Sequence, residues 1–435
     1  MESASESAPP PRHIKVRQAA FIGVGAMVGA GIFSLLGAAG EVAGAAVWVS
    51  FLIAGVVAGL QGYSFAKFGA KYPSAGGLLE YVGRGFGKGH VANVTGWLTY
   101  SANAIVTAMV AVSFGSYASN MFTGDSAGWA KVFAAVVVVA MTLVNIAGAA
   151  WVARLQSVVV VVVIGILCVF AVVTIVNMDP SLLAPSKYPG LQDIVSAVAL
   201  TFFAFLGFGV ITFTAKDLAN PAKQLPRAMY LALGIATFIY VAVSIGVFGT
   251  LTVGEVIAAG PTAIAEAAKP VLGDVGFVLM SVTALFATAG ATNAGLYPAP
   301  GLSEELARTG QWPPVMGRRI GGRASAGLLF AAAAIILMVL FLDLSAIASI
   351  GSAVALMIFT LVTLAHFRVR TETGASTVML VLAVTTAGIT LITFVFTTLI
   401  HEPASISTLV GIIVISAALD AWWTRRRRHL VPAAT

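Results

Sequence analysis

The sequence predicts an all-α integral membrane protein with twelve transmembrane helices. They form two inverted five-helix repeats, with discontinuous helices one and six, and two further helices. Three observations carry this expectation: the composition, the distribution of basic residues and the placement of glycines. The 435 residues are 59% hydrophobic and 9% charged, with a mean hydropathy of +0.97. That is more apolar surface than a globular core of this size buries. Apolar stretches of about 20 residues, the length that crosses a hydrocarbon layer as a helix, recur along the whole chain. They fall at 17–41, 44–66, 91–121, 129–149, 154–177, 194–214, 228–251, 275–299, 325–342, 345–367, 376–399 and 405–423. The chain then divides into four parts. Residues 1–16 are a polar, Pro-rich N-terminus that reads as disordered. Helices one to five occupy 17–177, helices six to ten occupy 178–370, and 371–435 holds the last two helices and a basic tail.

Basic residues precede the first stretch, as they do in a signal peptide, but its length and the absence of a clear small-residue cleavage site mark a retained helix. Cytoplasmic loops beside membrane helices are enriched in Lys and Arg. With the N-terminus inside, alternate connections and the tail collect 21 of the 24 basic residues, leaving Lys131, Lys187 and Lys269 outside. Both termini are therefore expected in the cytoplasm, and the protein in the plasma or inner membrane. The formal charge of +7 needs no nucleic-acid partner. The run Arg425 to Arg428 reads as a stop-transfer anchor that also meets anionic lipid. Cys168 stands alone, so no intrachain disulfide forms. The stretch 252–274 reads as an extracellular loop with short helical pieces.

In the first stretch, "GVGAMVGAGIF" places Gly23, Gly25, Gly29 and Gly31 within nine positions. Gly25 and Gly29 form a small-xxx-small pair that lets a neighbouring helix approach. Alternatively the helix is interrupted so that backbone groups line a protected cavity. Inverted-repeat transporters carry a matching interruption in the corresponding helix of the second half. Here the sixth stretch supplies it, with Gly207 and Gly209 in "FFAFLGFGV" at 202–210. The pairing favours interruption over packing. A membrane enzyme needs a clustered metal set or a nucleophile with its base, but His13, His90, His366, His401 and His429 are scattered to ends and loops. No catalytic residue, metal or cofactor is expected. A channel or sensor remains open as an alternative, since interrupted helices also line pores.

Four motifs occur in an order that resembles the amino acid–polyamine–organocation transporters over nearly the whole chain. They are "GAMVGAGIF" in the first stretch, "YPSAGGLLEYVGRGFG" at 72–87, "FFAFLGFGVITFTAKDLANPAKQLPRA" at 202–228 and "ELARTGQWP" at 305–313. The resemblance implies an amino acid permease of the leucine-transporter-like fold that holds a zwitterion between the two interruptions. Ala30, Gly31 and Ile32 would offer backbone N–H groups to its carboxylate, at the positive end of a half-helix. Gly29 and Gly31 would let the ligand approach the chain. Carbonyls of Met27, Phe203 and Leu206 would receive the ammonium group, and Phe203, Ala204, Phe205, Leu206 and Gly207 form the matching segment of helix six. Phe203 and Phe205 lie where the family places an aromatic gate.

No Asp or Glu lies in helices three, six, eight or ten, and helix one carries only Glu41, at its far end. Burying a second positive charge there would go uncompensated, so a neutral, small or apolar amino acid is the expected substrate. Transport of another organic cation or amine is the alternative. Phe202, Met109 and Ala291 suggest an apolar lining. Asn103, Thr107, Thr288 and Asn293 offer polar contacts or helix–helix hydrogen bonds. Two positions that carry protons in many relatives are Val163 and Gly209 here. Intramembrane ionisable groups, the usual functional candidates, are essentially missing, and His366 and His90 read as interfacial. Carbonyls of the helix-one break and hydroxyls such as Thr288 or Thr292 are candidate sodium ligands, or else the threonines bond their own helix. Coupling to a proton, or exchange, is expected ahead of sodium. Glu80 and Asp217 are candidates for a cytoplasmic gate, pairing with Arg84, Lys216 or Arg227, or else are solvated loop charges.

Overall fold

The first apolar stretch folds as two helices, α1 (Val16–Ala30) and α2 (Ile32–Ala43), parted by Gly31 alone. A computed structural model describes residues 14–73, 78–87, 89–124, 126–148, 150–320, 324–397, 400 and 403–430. Next come α3 (Val47–Lys71), α4 (Leu78–Phe86), α5 (His90–Thr123), α6 (Ala127–Ala147) and α7 (Ala150–Val176). The sixth stretch is α8 (Leu191–Phe203), continued after a turn by a 3-10 segment, Leu206–Asp217. The chain goes on through α9 (Pro221–Thr250), α10 (Val253–Ala259), α11 (Ala263–Leu296) and α12 (Pro298–Arg308). The last helices are α13 (Ala326–Phe341), α14 (Leu344–Arg368), α15 (Arg370–Thr373), α16 (Thr377–Thr397) and α17 (Pro403–Leu430).

The sequence marks many of these ends. Pro221 and Pro298 open α9 and α12 at a position where the missing N–H has no helical partner. Gly124, Gly148 and Gly374 close α5, α6 and α15 in the left-handed conformation. Asp343 caps α14 by accepting the Ala346 N–H at 2.7 Å. Among the described residues, ten helices are long and apolar enough to cross a membrane, and Val16–Gly29 and Ala326–Phe341 are shorter apolar helices. The only strands among those residues are Arg319–Ile320 and Ala324–Ser325, paired antiparallel.

Val136, Val139 and Leu143 of α6 and Val158, Val161, Val169 and Val172 of α7 are exposed. An apolar belt of this kind suits hydrocarbon rather than water. The core lies where α1, α2, α8, the 3-10 segment, α5, α11 and α14 meet. The stretch 252–274 holds the short pieces expected of it: α10, a 3-10 turn at Gly260–Thr262 and the start of α11 up to Gly273, where φ is +64°. Most of the N-terminal segment 1–16 lies outside the described residues. Ile14, however, is tied down: its N–H donates to the Asp217 carbonyl at 2.9 Å.

Candidate functional site

The interruption of the first stretch is narrower than expected. Gly31 has φ −98° and ψ −73°, and its N–H still donates to the Met27 carbonyl at 2.9 Å. The N–H groups of Ser34 and Leu35 return to the Gly31 carbonyl at 3.1 and 3.2 Å. The Gly31 N–H and the Met27 carbonyl, both expected to be free for a ligand, are therefore bonded to each other. This φ suits any residue, so what demands glycine is space: a Cβ on Gly31 would stand 2.5 Å from the Ala204 Cβ and 2.8 Å from the Tyr240 hydroxyl.

The sixth stretch departs further from regular geometry. The N–H groups of Ala204 and Phe205 bond carbonyls three residues back, those of Thr201 and Phe202, at 3.1 and 2.9 Å. Hydroxyls extend the pattern along the 3-10 segment, with Thr212 on the Gly209 carbonyl at 2.6 Å and Thr214 on that of Ile211 at 2.7 Å. A 3-10 run of 12 residues is well beyond the usual three or four and marks a hinge or strained sequence. Gly207 matches Gly31 from the other side: a Cβ there would lie 2.6 Å from the Ala26 carbonyl carbon and the Met27 nitrogen. Each interruption thus keeps a glycine against the backbone or methyl group of the other, and the cleft expected between them is closed.

Around this contact the predicted residues are buried: Met27, Ile32, Phe203, Ala204 and Phe205 wholly so, Leu206 and Gly207 partly. The side chain of Ala30 lies outside the described residues. Gly29 faces elsewhere, with a Cβ position 2.5 Å from the Ala287 carbonyl and the Ala291 Cβ of α11. Phe203 packs on Gly351 of α14, whose added Cβ would overlap its ring and come within 2.9 Å of Ile105. Beyond Gly29 is a cavity of about 10 Å³, bounded by Gly25, Val28, Gln156, Val163 and Ala287, close to the smallest space that holds one water. Val163 thus borders a cavity beside the first helix.

Tyr240 of α9 was not singled out by the sequence, where it is one aromatic in the apolar run "ATFIYVAVS". Wholly buried, it donates its hydroxyl to the Ala204 carbonyl at 3.0 Å. Its ring lies 5.0 Å from Phe205 and 5.3 Å from Phe51, centre to centre. In the first turn of α2, the buried Ser34 hydroxyl has no hydrogen-bond partner among the described residues.

The polar candidates of α5 and α11 bond neighbouring helices or their own. Asn103 donates to the Gly295 carbonyl at 2.7 Å, Thr107 bonds the Asn103 carbonyl, and Asn293 accepts from Asn145 of α6 at 2.9 Å. Thr288 and Thr292 direct their hydroxyls to Ala284 and Thr288 of their own helix. Glu80 pairs with Arg84 one turn along α4 at 2.8 Å. Asp217 makes no ion pair among the described residues, and its carbonyl receives Ile14 instead.

Two ionisable groups are buried among other side chains. His366 is wholly buried in the last turn of α14, with Nε2 2.8 Å from the Thr373 hydroxyl and its ring 4.4 Å from that of Phe68. Asp420 of α17 is buried, with its carboxylate 2.5 Å from His90 Nδ1 and 2.9 Å from Asn93 Nδ2. Asp420 was legible only as a lone acid in an apolar stretch.

The family model for amino acid permeases matches residues 14–419, which include both interruptions. The chain belongs to the amino acid permease family. Relatives of this permease include the inner membrane transport protein YbaT of Escherichia coli, 30% identical over 397 residues, or 91% of this chain and 92% of that protein. The branched-chain amino acid permease BcaP of Bacillus subtilis is 28% identical over 240 residues, about half of each chain. The methylthioribose transporter of the same organism is 27% identical, over 67% of this chain and 66% of that protein. The permease is thus a multi-pass membrane transporter of a small molecule.

Proposed function

We propose that this permease moves a neutral, small or apolar amino acid across the plasma or inner membrane by alternating access. The reciprocal packing of the two interruptions, Gly31 on Ala204 and Gly207 on Met27, carries the reading. It brings together the start of α2, which favours a carboxylate, and the end of α8, which favours an ammonium group. Gly31, Ala204, Tyr240, Phe203 and Phe205 bring no negative charge to this place, which argues against a second cation on the substrate. Opening the site requires the two segments to part, and the 3-10 segment is suited to hinge that movement. Phe203, lying between the site and α14, serves as the gate.

Reading α1 with α2, and α8 with the 3-10 segment, as single broken crossings gives twelve crossings, two inverted sets of five and both termini in the cytoplasm. Thr288 and Thr292 are already engaged on their own helix, so the reading takes proton-coupled symport or exchange in preference to sodium. Purified protein in proteoliposomes should take up labelled neutral amino acids faster when the same amino acid is loaded inside. Flux without that acceleration would mean a pore, and no binding of any amino acid would overturn the reading.

A further inference from the structure

We propose that the Tyr240 hydroxyl is a switchable ligand for the substrate head group: it holds the Ala204 carbonyl in the closed packing and turns to the carboxylate when substrate enters. This rests on the amino acid reading above and adds a side chain to a site otherwise built from backbone. A phenol stays protonated at neutral pH and has one hydrogen to donate. In the closed packing that hydrogen goes to the Ala204 carbonyl, 3.0 Å away. The same oxygen is 2.8 Å from where a Cβ on Gly31 would stand, so it adjoins the start of α2, where the carboxylate is expected. A hydrogen bond to a carboxylate is roughly twice as strong as one to a neutral carbonyl, so an arriving substrate takes the hydrogen.

The exchange needs little motion. The ring is held between Phe205 and Phe51, and rotation about the C–O bond redirects the hydrogen. Its effect is to link the two ends of the ligand. Once released, the Ala204 carbonyl, at the negative end of α8, turns to the ammonium group. The unpartnered, buried Ser34 hydroxyl in the first turn of α2 adds a second side-chain oxygen to the carboxylate side.

The test compares the best-bound neutral amino acid with the amine left when its carboxylate is removed, on wild-type protein and Tyr240→Phe. In wild type the amine binds poorly, because nothing displaces the hydroxyl from Ala204. The variant should bind the amino acid at least about tenfold more weakly, while the amine binds as well as before or better. Equal weakening of both ligands, or no change in either, overturns the proposal. As a second measurement, full-length protein carrying 3-fluorotyrosine at position 240 should shift its ¹⁹F resonance with the amino acid and not with the amine. The same response to both ligands overturns the proposal even where the Phe variant folds poorly. Failure of wild type to bind any amino acid overturns the underlying reading, and that control is read first.

Discussion

Gly31 and Ala204 meet where the two interrupted helices touch, and the space between them admits a hydrogen but not a methyl group: a Cβ on Gly31 would lie 2.5 Å from that of Ala204. The contact joins residues far apart in the chain, and it is where the permease must open to admit a ligand.

Substituting Gly31→Ala should force the segments apart at an overpacking cost of about 1–3 kcal/mol and lower uptake at least about fivefold, since about 1.4 kcal/mol corresponds to tenfold in rate. Insertion should be unaffected, since the helix becomes no less apolar. Ala204→Gly in the same chain should recover much of the loss. Uptake in proteoliposomes and thermal unfolding of the purified variants check both parts. Normal transport by Gly31→Leu would reduce the glycine to ordinary packing.

A second pair tests the gate. The Phe203 ring lies on Gly351, and any side chain there would overlap it. Gly351→Val should block closure, so that transport falls while ligand binding persists. Phe203→Leu should relieve the block. If the double variant is as inactive as Gly351→Val alone, the ring is not the obstructed part.

The Asn145–Asn293 bond, 2.9 Å long, joins α6 to α11. Replacing either residue with Ala should destabilise the protein without changing which amino acid it binds. A double-mutant cycle on unfolding should return a coupling of about 0.6 kcal/mol and no more than about 1.7. A change in substrate preference would place Asn293 at the ligand instead.

In the stretch expected to form a loop, the Glu255 carboxyl of α10 is held below the usual carboxylate range, first by the Thr252 hydroxyl and then by the Thr252 N–H. A depressed folded-state value means that the cap stabilises α10 above the unfolded carboxyl pKa and is lost as pH falls through the folded one. Amide hydrogen exchange in α10, corrected for the intrinsic rate, should therefore quicken as pH drops below about 4.3. Glu255→Gln should remove that dependence.

The helices and the positions of both interruptions were legible because they depend on local quantities: runs of apolar residues, glycines, and the distribution of Lys and Arg. Gly31 and Gly207 could be found from pattern alone. Their contact partners could not, because Ala204 and Tyr240 acquire meaning only once distant segments are brought together. The extent of interruption was misjudged for the same reason. Glycines mark where a helix can be broken, yet the Met27–Gly31 hydrogen bond is kept. Asn103, Thr107 and Asn293 were legible as polar residues in apolar helices. Nothing in the sequence says whether such a group turns toward a ligand or toward the next helix. Asp420 and His90 are 330 residues apart, beyond the reach of any spacing argument.

The 3-10 run from Leu206 to Asp217 also stores length. It rises about 2.0 Å per residue against 1.5 Å for an α-helix, so rewinding its 12 residues would draw it in by roughly 6 Å. Its far end is stitched to Ile14 through the Asp217 carbonyl, so such a recoil would haul the entry to α1 along with it. A change of winding in the sixth stretch would thereby become a pull on the chain just ahead of the first helix.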